Sequence, residues 1–229
     1  MPTRPSNLTR DTPNMCHRII SGSTAPVEDC TQSIADIVFV VDSSGSIDDD
    51  NPANWNLTKQ FVSDIVGSVA VAETANRIAL VEFSNEGILI FNFTYSFDTA
   101  TIQAGIQGMR FLDGNTNTSG GLYIVLSELL FERGGNRPDV QDYVIVVTDG
   151  IATRDEENTI PYAEEIHDTG ATLLVVGITG AIDEDEIRAI SSPPQRINET
   201  YFLTEDFSLL TPIVEQIVQA TCSVECKCC

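Results

Sequence analysis

Two apolar runs constrain the fold of this chain more than any other feature of its sequence. Residues 37–41 read IVFVV and residues 144–147 read VIVV. A strand with one solvated face alternates apolar and polar residues, whereas an uninterrupted run rich in Val and Ile is typical of a parallel strand covered on both faces. Both runs therefore predict interior strands of a sheet that carries helices on each side.

Strand-like and helix-like segments alternate along the rest of the chain. We predict strands at 35–42, 76–83, 87–94, 142–149, 172–178 and 201–204. Amphipathic patterns predict helices at 55–71, 99–109, 119–132, 158–168, 184–191 and 207–221. Repeated strand–helix–strand units with right-handed crossovers predict a doubly wound α/β fold with a mostly parallel, six-stranded sheet and helices on both faces.

The connection between the second and third predicted strands breaks this pattern. Only the three residues SNE, 84–86, separate the two runs. A parallel crossover needs a dozen or more residues, whereas an antiparallel hairpin needs very few. We therefore expect the third strand to be antiparallel to its neighbour and to lie at an edge of the sheet.

The charge is concentrated in the middle of the chain. The formal net charge is −22. Basic and acidic side chains cancel within 1–30 and within 222–229, so the whole net charge lies in residues 31–221, which hold 8 basic and 30 acidic side chains. Such a surface repels nucleic acid and anionic lipid and favours cations or basic partners. We expect a linker at 1–30, one domain at 31–221 and a Cys-rich tail at 222–229, with no membrane insertion since no run of eighteen apolar residues exists.

The cysteines and the glycosylation sequons both suggest an oxidising compartment. Cys16 and Cys30 precede the predicted domain, the other four cysteines follow it, and the domain itself has none. This placement predicts disulfide bonds that join the ends of the domain, although fifteen connectivities are possible and CSVECKCC could instead be a zinc cluster. The sequons that we expect to be glycosylated begin at Asn7, Asn56, Asn92 and Asn198. No signal peptide is visible in the first 30 residues, so we expect any targeting segment to lie outside the given sequence.

Polar side chains follow two of the predicted parallel strands and precede one helix. DSSGS follows the first strand at 42–46, TDG ends the fourth at 148–150, and GNTNT lies at 114–118. Ligands of doubly wound sheets bind at the carboxyl ends of the strands, where these turns converge. Their carboxylates and hydroxyls are the donors that Mg²⁺, Ca²⁺ or Mn²⁺ prefers, with Gly45 expected to relieve the backbone between Ser44 and Ser46. A serine-rich turn could alternatively only cap the next helix.

These motifs, in this order, resemble those of the von Willebrand factor type A domain. The resemblance rests on DIVFVVDSSGSI, GNTNT and VIVVTDG and covers roughly residues 34–221. It implies a Rossmann-like fold with an antiparallel edge strand and a metal-ion-dependent adhesion site. The ligands that it implies are Asp42, Ser44, Ser46, Thr116 and Asp149. Because Asn117 lies inside this predicted metal loop, we expect its sequon to remain unglycosylated.

The resemblance also implies the cofactor and the class of partner. The implied cofactor is a divalent cation, Mg²⁺ first and Ca²⁺ or Mn²⁺ as alternatives, which accepts a Glu or Asp carboxylate from an extracellular protein ligand. Matrilins and collagen-associated members are the most similar in style, so we expect a secreted chain that is part of a larger protein and binds a collagen or another matrix protein. Their domains are often bounded by cysteines, which makes Cys30 and Cys222 the candidate disulfide pair.

Two other functions stay open at the level of sequence. An acidic structural matrix protein could gather Ca²⁺ or mineral through its charge alone. A metal-dependent, phosphatase-like hydrolase could use Asp42, although such enzymes generally want a second carboxylate where this chain has Ser44. We expect no enzyme, because the chain has only two histidines, His17 and His167, and neither a Gly-x-Ser-x-Gly elbow nor a phosphate-binding loop.

Overall fold

The structure is a computed structural model, and it describes residues 34–49, 51–178 and 182–221. The strands are β1 (Ala35–Asp42), β2 (Arg77–Phe83), β3 (Gly87–Phe91), β4 (Gln141–Thr148), β5 (Thr172–Ile178) and β6 (Tyr201–Thr204). The α-helices are α1 (Ser46–Asp49), α2 (Asn54–Ser68), α3 (Thr99–Gln107), α4 (Thr118–Ile124), α5 (Thr159–Asp168), α6 (Glu184–Ile190) and α7 (Thr211–Thr221).

The strands form a single sheet in the order β3-β2-β1-β4-β5-β6. All neighbouring pairs are parallel except β2 and β3, which are antiparallel, so the expected edge strand and the predicted fold class are confirmed. β1 pairs with β2 on one side and β4 on the other. Every residue of β1 is buried, because helices cover both faces of the central strands.

Two apolar cores cover the two faces of the sheet. Alternate residues of β1 point to opposite sides: Ile37 and Phe39 belong to one core and Val38 and Val40 to the other. The first core contains residues of α2, α3 and α7, and the second contains residues of α4, α5 and α6. This double coverage explains why the central runs are continuously apolar rather than alternating.

Two predicted segments are longer than the elements that form. The third strand was expected to reach residue 94 but ends at Phe91, because the Asn92 side chain accepts hydrogen bonds from the Thr94 amide and hydroxyl and the chain turns. The helix predicted at 119–132 is α-helical only to Ile124 and continues as a π-helix over Val125–Leu129. The apolar period identified the buried face but could not distinguish these two hydrogen-bond patterns.

Several expectations lie outside the described residues. The cysteines, including Cys30 and Cys222, and the sequon at Asn7 belong to segments that the structure does not describe, so their pairing and modification stay predictions. Within the described ranges, none of the helices is long and apolar enough to span a membrane.

Candidate metal centre

The three polar loops meet at the carboxyl-terminal edge of the sheet. The Gly45 amide donates to the Gly114 carbonyl at 2.9 Å, and the Asp113 amide donates to the Ser43 carbonyl at 3.1 Å. The Thr153 amide donates to the Thr116 carbonyl at 2.9 Å, which joins the GNTNT loop to the segment after β4. Backbone hydrogen bonds therefore hold together loops that are more than a hundred residues apart in sequence.

The first three predicted ligands follow the end of β1 and contact one another. Asp42 is fully buried, and its Oδ1 accepts a hydrogen bond from the Ser44 amide at 2.8 Å. The hydroxyls of Ser44 and Ser46 are 3.1 Å apart, and the Ser46 hydroxyl donates to Oδ1 of Asp149 at 2.7 Å. The alternate spacing of the motif thus turns its side chains towards the loop that follows β4.

Thr116 faces the same space from the third loop. A Cβ atom placed on Gly150 would lie 3.5 Å from the Thr116 hydroxyl and 3.7 Å from the Ser46 hydroxyl. The two hydroxyls therefore border one small volume that the missing side chain of Gly150 leaves open. The structure brings all five predicted side chains together at this edge of the sheet.

The glycines of the site act through close approach rather than through an unusual backbone conformation. Gly45 does not adopt a positive φ, so the expected backbone relief is not its role. A Cβ on Gly45 would lie 3.0 Å from Oδ1 of Asp113. A Cβ on Gly114 would lie 2.5 Å from both the Ser84 hydroxyl and the side-chain Nδ2 of Asn85. A side chain at Gly114 would collide with Ser84 and Asn85, whereas one at Gly45 would require only the exposed Asp113 side chain to move.

Burial and mutual repulsion make the two carboxylates costly to ionise. Burial raises the pKa of Asp42 above its ordinary value, although hydrogen bonds from Thr148 and Ser44 oppose the rise. Burial, and next the charge of Asp42, raise the pKa of Asp149 to about 7, with the hydrogen bond from Ser46 acting in the opposite direction. Two nearby carboxylates with such pKa values form a site that a positive charge would stabilise.

The donor set fits a hard divalent cation. All five side chains offer oxygen, two as carboxylates and three as hydroxyls, and such donors suit Mg²⁺, Ca²⁺ or Mn²⁺. Across the described ranges, no group of three or more His, Cys, Asp or Glu side chains could hold a metal ion, so hydroxyl ligands would be essential here. Asp48 is not part of this donor set: it accepts a hydrogen bond from the Trp55 amide at 3.0 Å and thus stabilises the start of α2.

The sequence did not identify the side chains that position these ligands. The Thr148 hydroxyl donates to Oδ2 of Asp42 at 2.6 Å, and Ser43 Oγ accepts from the Leu112 amide at 2.9 Å. The Thr153 hydroxyl accepts from the Thr116 amide at 3.1 Å. The only available signal was that Thr148 and Ser43 directly adjoin predicted ligands, which is too common a pattern to assign a role.

The sequon asparagines differ in how their side chains are engaged. Asn117 is buried, accepts from the Gly120 amide at 2.8 Å and donates to the Asn85 carbonyl at 2.9 Å. Asn56 and Asn198 are exposed, and Asn92 is half-buried. These environments agree with the expectation that only Asn117 is withheld from modification, which stays a prediction.

Sequence comparisons find relatives among matrix proteins. The profile of the von Willebrand factor type A domain matches residues 36–216. Matrilin-1 of Homo sapiens is 30% identical over 196 residues, which are 86% of this chain and 38% of matrilin-1. The collagen alpha-6(VI) chain of Mus musculus is 29% identical over 202 residues, covering 87% of this chain and 8% of the collagen chain. The chain spans well under half the length of these relatives.

Structural comparison finds a similar fold with an occupied metal site. The fold matches that of proximal thread matrix protein 1 from the mussel byssus with a TM-score of 0.76 and 28% sequence identity. That protein was solved with zinc in its MIDAS motif, the metal-ion-dependent adhesion site. The match covers 85% of this chain and 47% of that chain. A divalent cation therefore occupies a metal-ion-dependent adhesion site in a protein of this fold.

Proposed function

Because this chain belongs to the von Willebrand factor type A domain family, we propose that it is an extracellular module that binds a matrix protein through a divalent cation. The proposal rests above all on the convergence of five oxygen-bearing side chains at one edge of the sheet. Relatives that include a collagen chain and a byssal matrix protein support the extracellular location and the class of partner. Their greater length supports a place within a larger multidomain protein.

We assign the cation ligands to Asp42, Ser44, Ser46, Thr116 and Asp149. A bound divalent cation supplies the positive charge that can accept one further carboxylate oxygen from a Glu or Asp of the protein ligand. The five side chains hold only two formal negative charges between them, which balance the charge of a divalent cation without exceeding it, so a further carboxylate meets no excess negative charge from the ligands. The hydrogen bonds among them orient the oxygens before the partner arrives.

A competing explanation is that the acidic surface alone gathers cations or basic proteins. The net charge of −22 supports this possibility. Binding through diffuse charge weakens steeply with salt and depends little on any single carboxylate. Binding through the site instead depends on particular side chains, so charge-matched substitutions separate the two explanations.

Catalysis has less support than binding. His167, the histidine of the described residues, lies in the last turn of α5, and burial lowers its pKa. In the motif after β1, Ser44 stands where a phosphatase would usually need a second carboxylate. We therefore propose a non-catalytic module.

The decisive experiment compares Asp149→Asn with Asp113→Asn. Both substitutions remove one negative charge near the same loops, but Asp113 is exposed and lies outside the proposed ligand set, whereas Asp149 is 3% exposed. Binding to immobilised fibrillar collagen and to other purified matrix proteins is measured by surface plasmon resonance with Mg²⁺ and then with EDTA. Calorimetric titration with Mg²⁺ and Mn²⁺ measures cation binding directly.

We expect saturable binding to at least one matrix protein that EDTA abolishes, that Asp149→Asn removes and that Asp113→Asn preserves. Equal losses for the two variants, together with a steep dependence on salt, would favour the acidic surface instead. A folded wild-type protein that bound neither Mg²⁺ nor Mn²⁺ would contradict the proposed metal site, whatever the matrix proteins do.

A further inference from the structure

A second cleft lies apart from the five proposed cation ligands. It opens between the edge strand β3 and the C-terminal end of α3 and has a volume of about 400 Å³. Its walls are largely apolar, and they include Ile88, Phe91 and Met109. Its size lies in the range of small-molecule sites, which commonly combine apolar walls with a few polar groups.

Glu82 is the one carboxylate that lines this cleft within the part of the chain that the structure describes. It comes from β2, is only 2% exposed, and no described residue donates a hydrogen bond to its Oε1. Its side chain is hydrogen-bonded to Ser43. A buried acceptor without a donor is destabilising, so a donor that entered the cleft would recover part of that free energy.

The nearby buried cation leaves this oxygen without a direct partner. Lys59 attracts Glu82 electrostatically, but its ammonium donates to the Gln107 carbonyl at 3.3 Å and lies 5.7 Å from the centre of the Trp55 ring. Burial raises the pKa of Glu82 to about 7, and the hydrogen bond from Ser43 and the charge of Lys59 only partly offset that effect. The carboxylate is thus buried with incomplete compensation.

A glycine in the last turn of α3 lies against the aromatic side of the cleft. A Cβ on Gly105 would lie 3.1 Å from the Phe91 ring and 3.5 Å from the Tyr95 ring. These two rings stack with their centroids 4.7 Å apart. Glycine inside a helix is less favourable than alanine, and here it permits the helix to lie close to an aromatic wall.

We propose that this cleft binds a small organic amine whose ammonium group donates to Glu82 and whose apolar body packs against Phe91 and Tyr95. Charge complementarity favours an ammonium over a neutral donor, because hydrogen bonds to ionised acceptors are about twice as strong as neutral ones. Among the described residues, Arg110 is the only other charged group lining the cleft, and it is exposed, so solvent screens its repulsion of a cation. None of the five proposed cation ligands lines this cleft.

The test uses 2-phenylethylamine as the probe and 2-phenylethanol as a control of the same shape without the charge. The full chain in EDTA is titrated with each compound while amide chemical shifts are followed by NMR. Glu82→Gln removes the buried charge, and Glu86→Gln makes the same change on a nearby exposed side chain. Gly105→Leu fills the cleft, and Ala104→Leu adds the same side chain at an exposed neighbour.

We expect saturable shifts confined to the residues around the cleft, with affinity about tenfold or more lower for Glu82→Gln and lost for Gly105→Leu. The two control variants should bind the amine as the wild type does, and the alcohol should bind much more weakly. The proposal is wrong if the amine causes no saturable shifts, if the alcohol binds equally well, or if Gly105→Leu leaves binding unchanged. This last variant keeps the test decisive even if Glu82→Gln does not fold.

Discussion

Replacing Thr148 with valine removes the hydrogen bond that orients the first proposed ligand, together with a longer contact in which the same hydroxyl accepts from the Gly150 amide at 3.3 Å. The Thr148 hydroxyl donates to Oδ2 of Asp42 at 2.6 Å, and the two residues are 2% and 0% exposed. Valine has nearly the same shape, so the substitution replaces this hydroxyl with a methyl group without opening a cavity. Since Thr148 is not itself a proposed ligand, the five oxygens of the donor set remain.

The expected loss follows from the charge and burial of the pair. A hydrogen bond to an ionised group contributes about 1.5–3 kcal/mol, which corresponds to roughly a 10- to 150-fold change in an equilibrium constant. Loss of residues that orient metal ligands typically lowers metal affinity about 10- to 100-fold. The Thr148 hydrogen bond also lowers the pKa of Asp42, so its removal raises that pKa and lets protons compete better with the cation.

Calorimetric titration with Mg²⁺ or Mn²⁺ at neutral pH measures this effect, and thermal unfolding in EDTA checks that the variant folds. We expect a 10- to 100-fold weaker cation affinity for Thr148→Val. Thr58→Val is the matched control, because Thr58 is also buried but donates to the Asn54 carbonyl within α2 at 3.0 Å. An unchanged affinity for Thr148→Val, or an equal loss for both variants, would refute the role of Thr148 in positioning Asp42.

Three further predictions test other parts of the structure. The pKa of Glu82 rises from 4.5 to about 7 on folding, so its stabilising contribution is present below pH 4.5 and lost as the pH rises through 7. Between pH 4 and pH 8 the wild type should therefore lose on the order of 3 kcal/mol of unfolding free energy that Glu82→Gln keeps. Chemical unfolding of both proteins at the two pH values measures this difference. Asp36→Asn should cost about 3–5 kcal/mol in unfolding free energy, because it breaks a buried ion pair with Arg137 (2.6 Å). Cation affinity should stay unchanged, because this pair lies at the opposite edge of the sheet. An unaltered stability would contradict this prediction. Glycopeptide mass spectrometry of the secreted protein should find Asn198 modified and Asn117 bare, and glycan on Asn117 would show that its loop opens.

The sequence by itself determined the order of elements and the type of sheet. Continuous apolar runs rich in Val and Ile favoured strands covered on both faces, and the three-residue link before β3 excluded a crossover helix. The motifs at 42–46 and 148–150 predicted a shared site because the carboxyl ends of parallel strands lie at one edge, and the resemblance to the von Willebrand factor type A domain supplied the five individual ligands.

Only the tertiary structure decided how that edge and its surroundings are held. Thr148 orients Asp42 and Thr153 fixes Thr116 across long separations in sequence, and no local pattern specifies such partners. Glu82 likewise looked like one more polar residue near the end of a strand, and only its burial beside an open cleft set it apart. The physical reason is that backbone geometry and apolar period act locally along the chain, whereas hydrogen-bond partners, burial and pKa depend on which distant groups packing brings together.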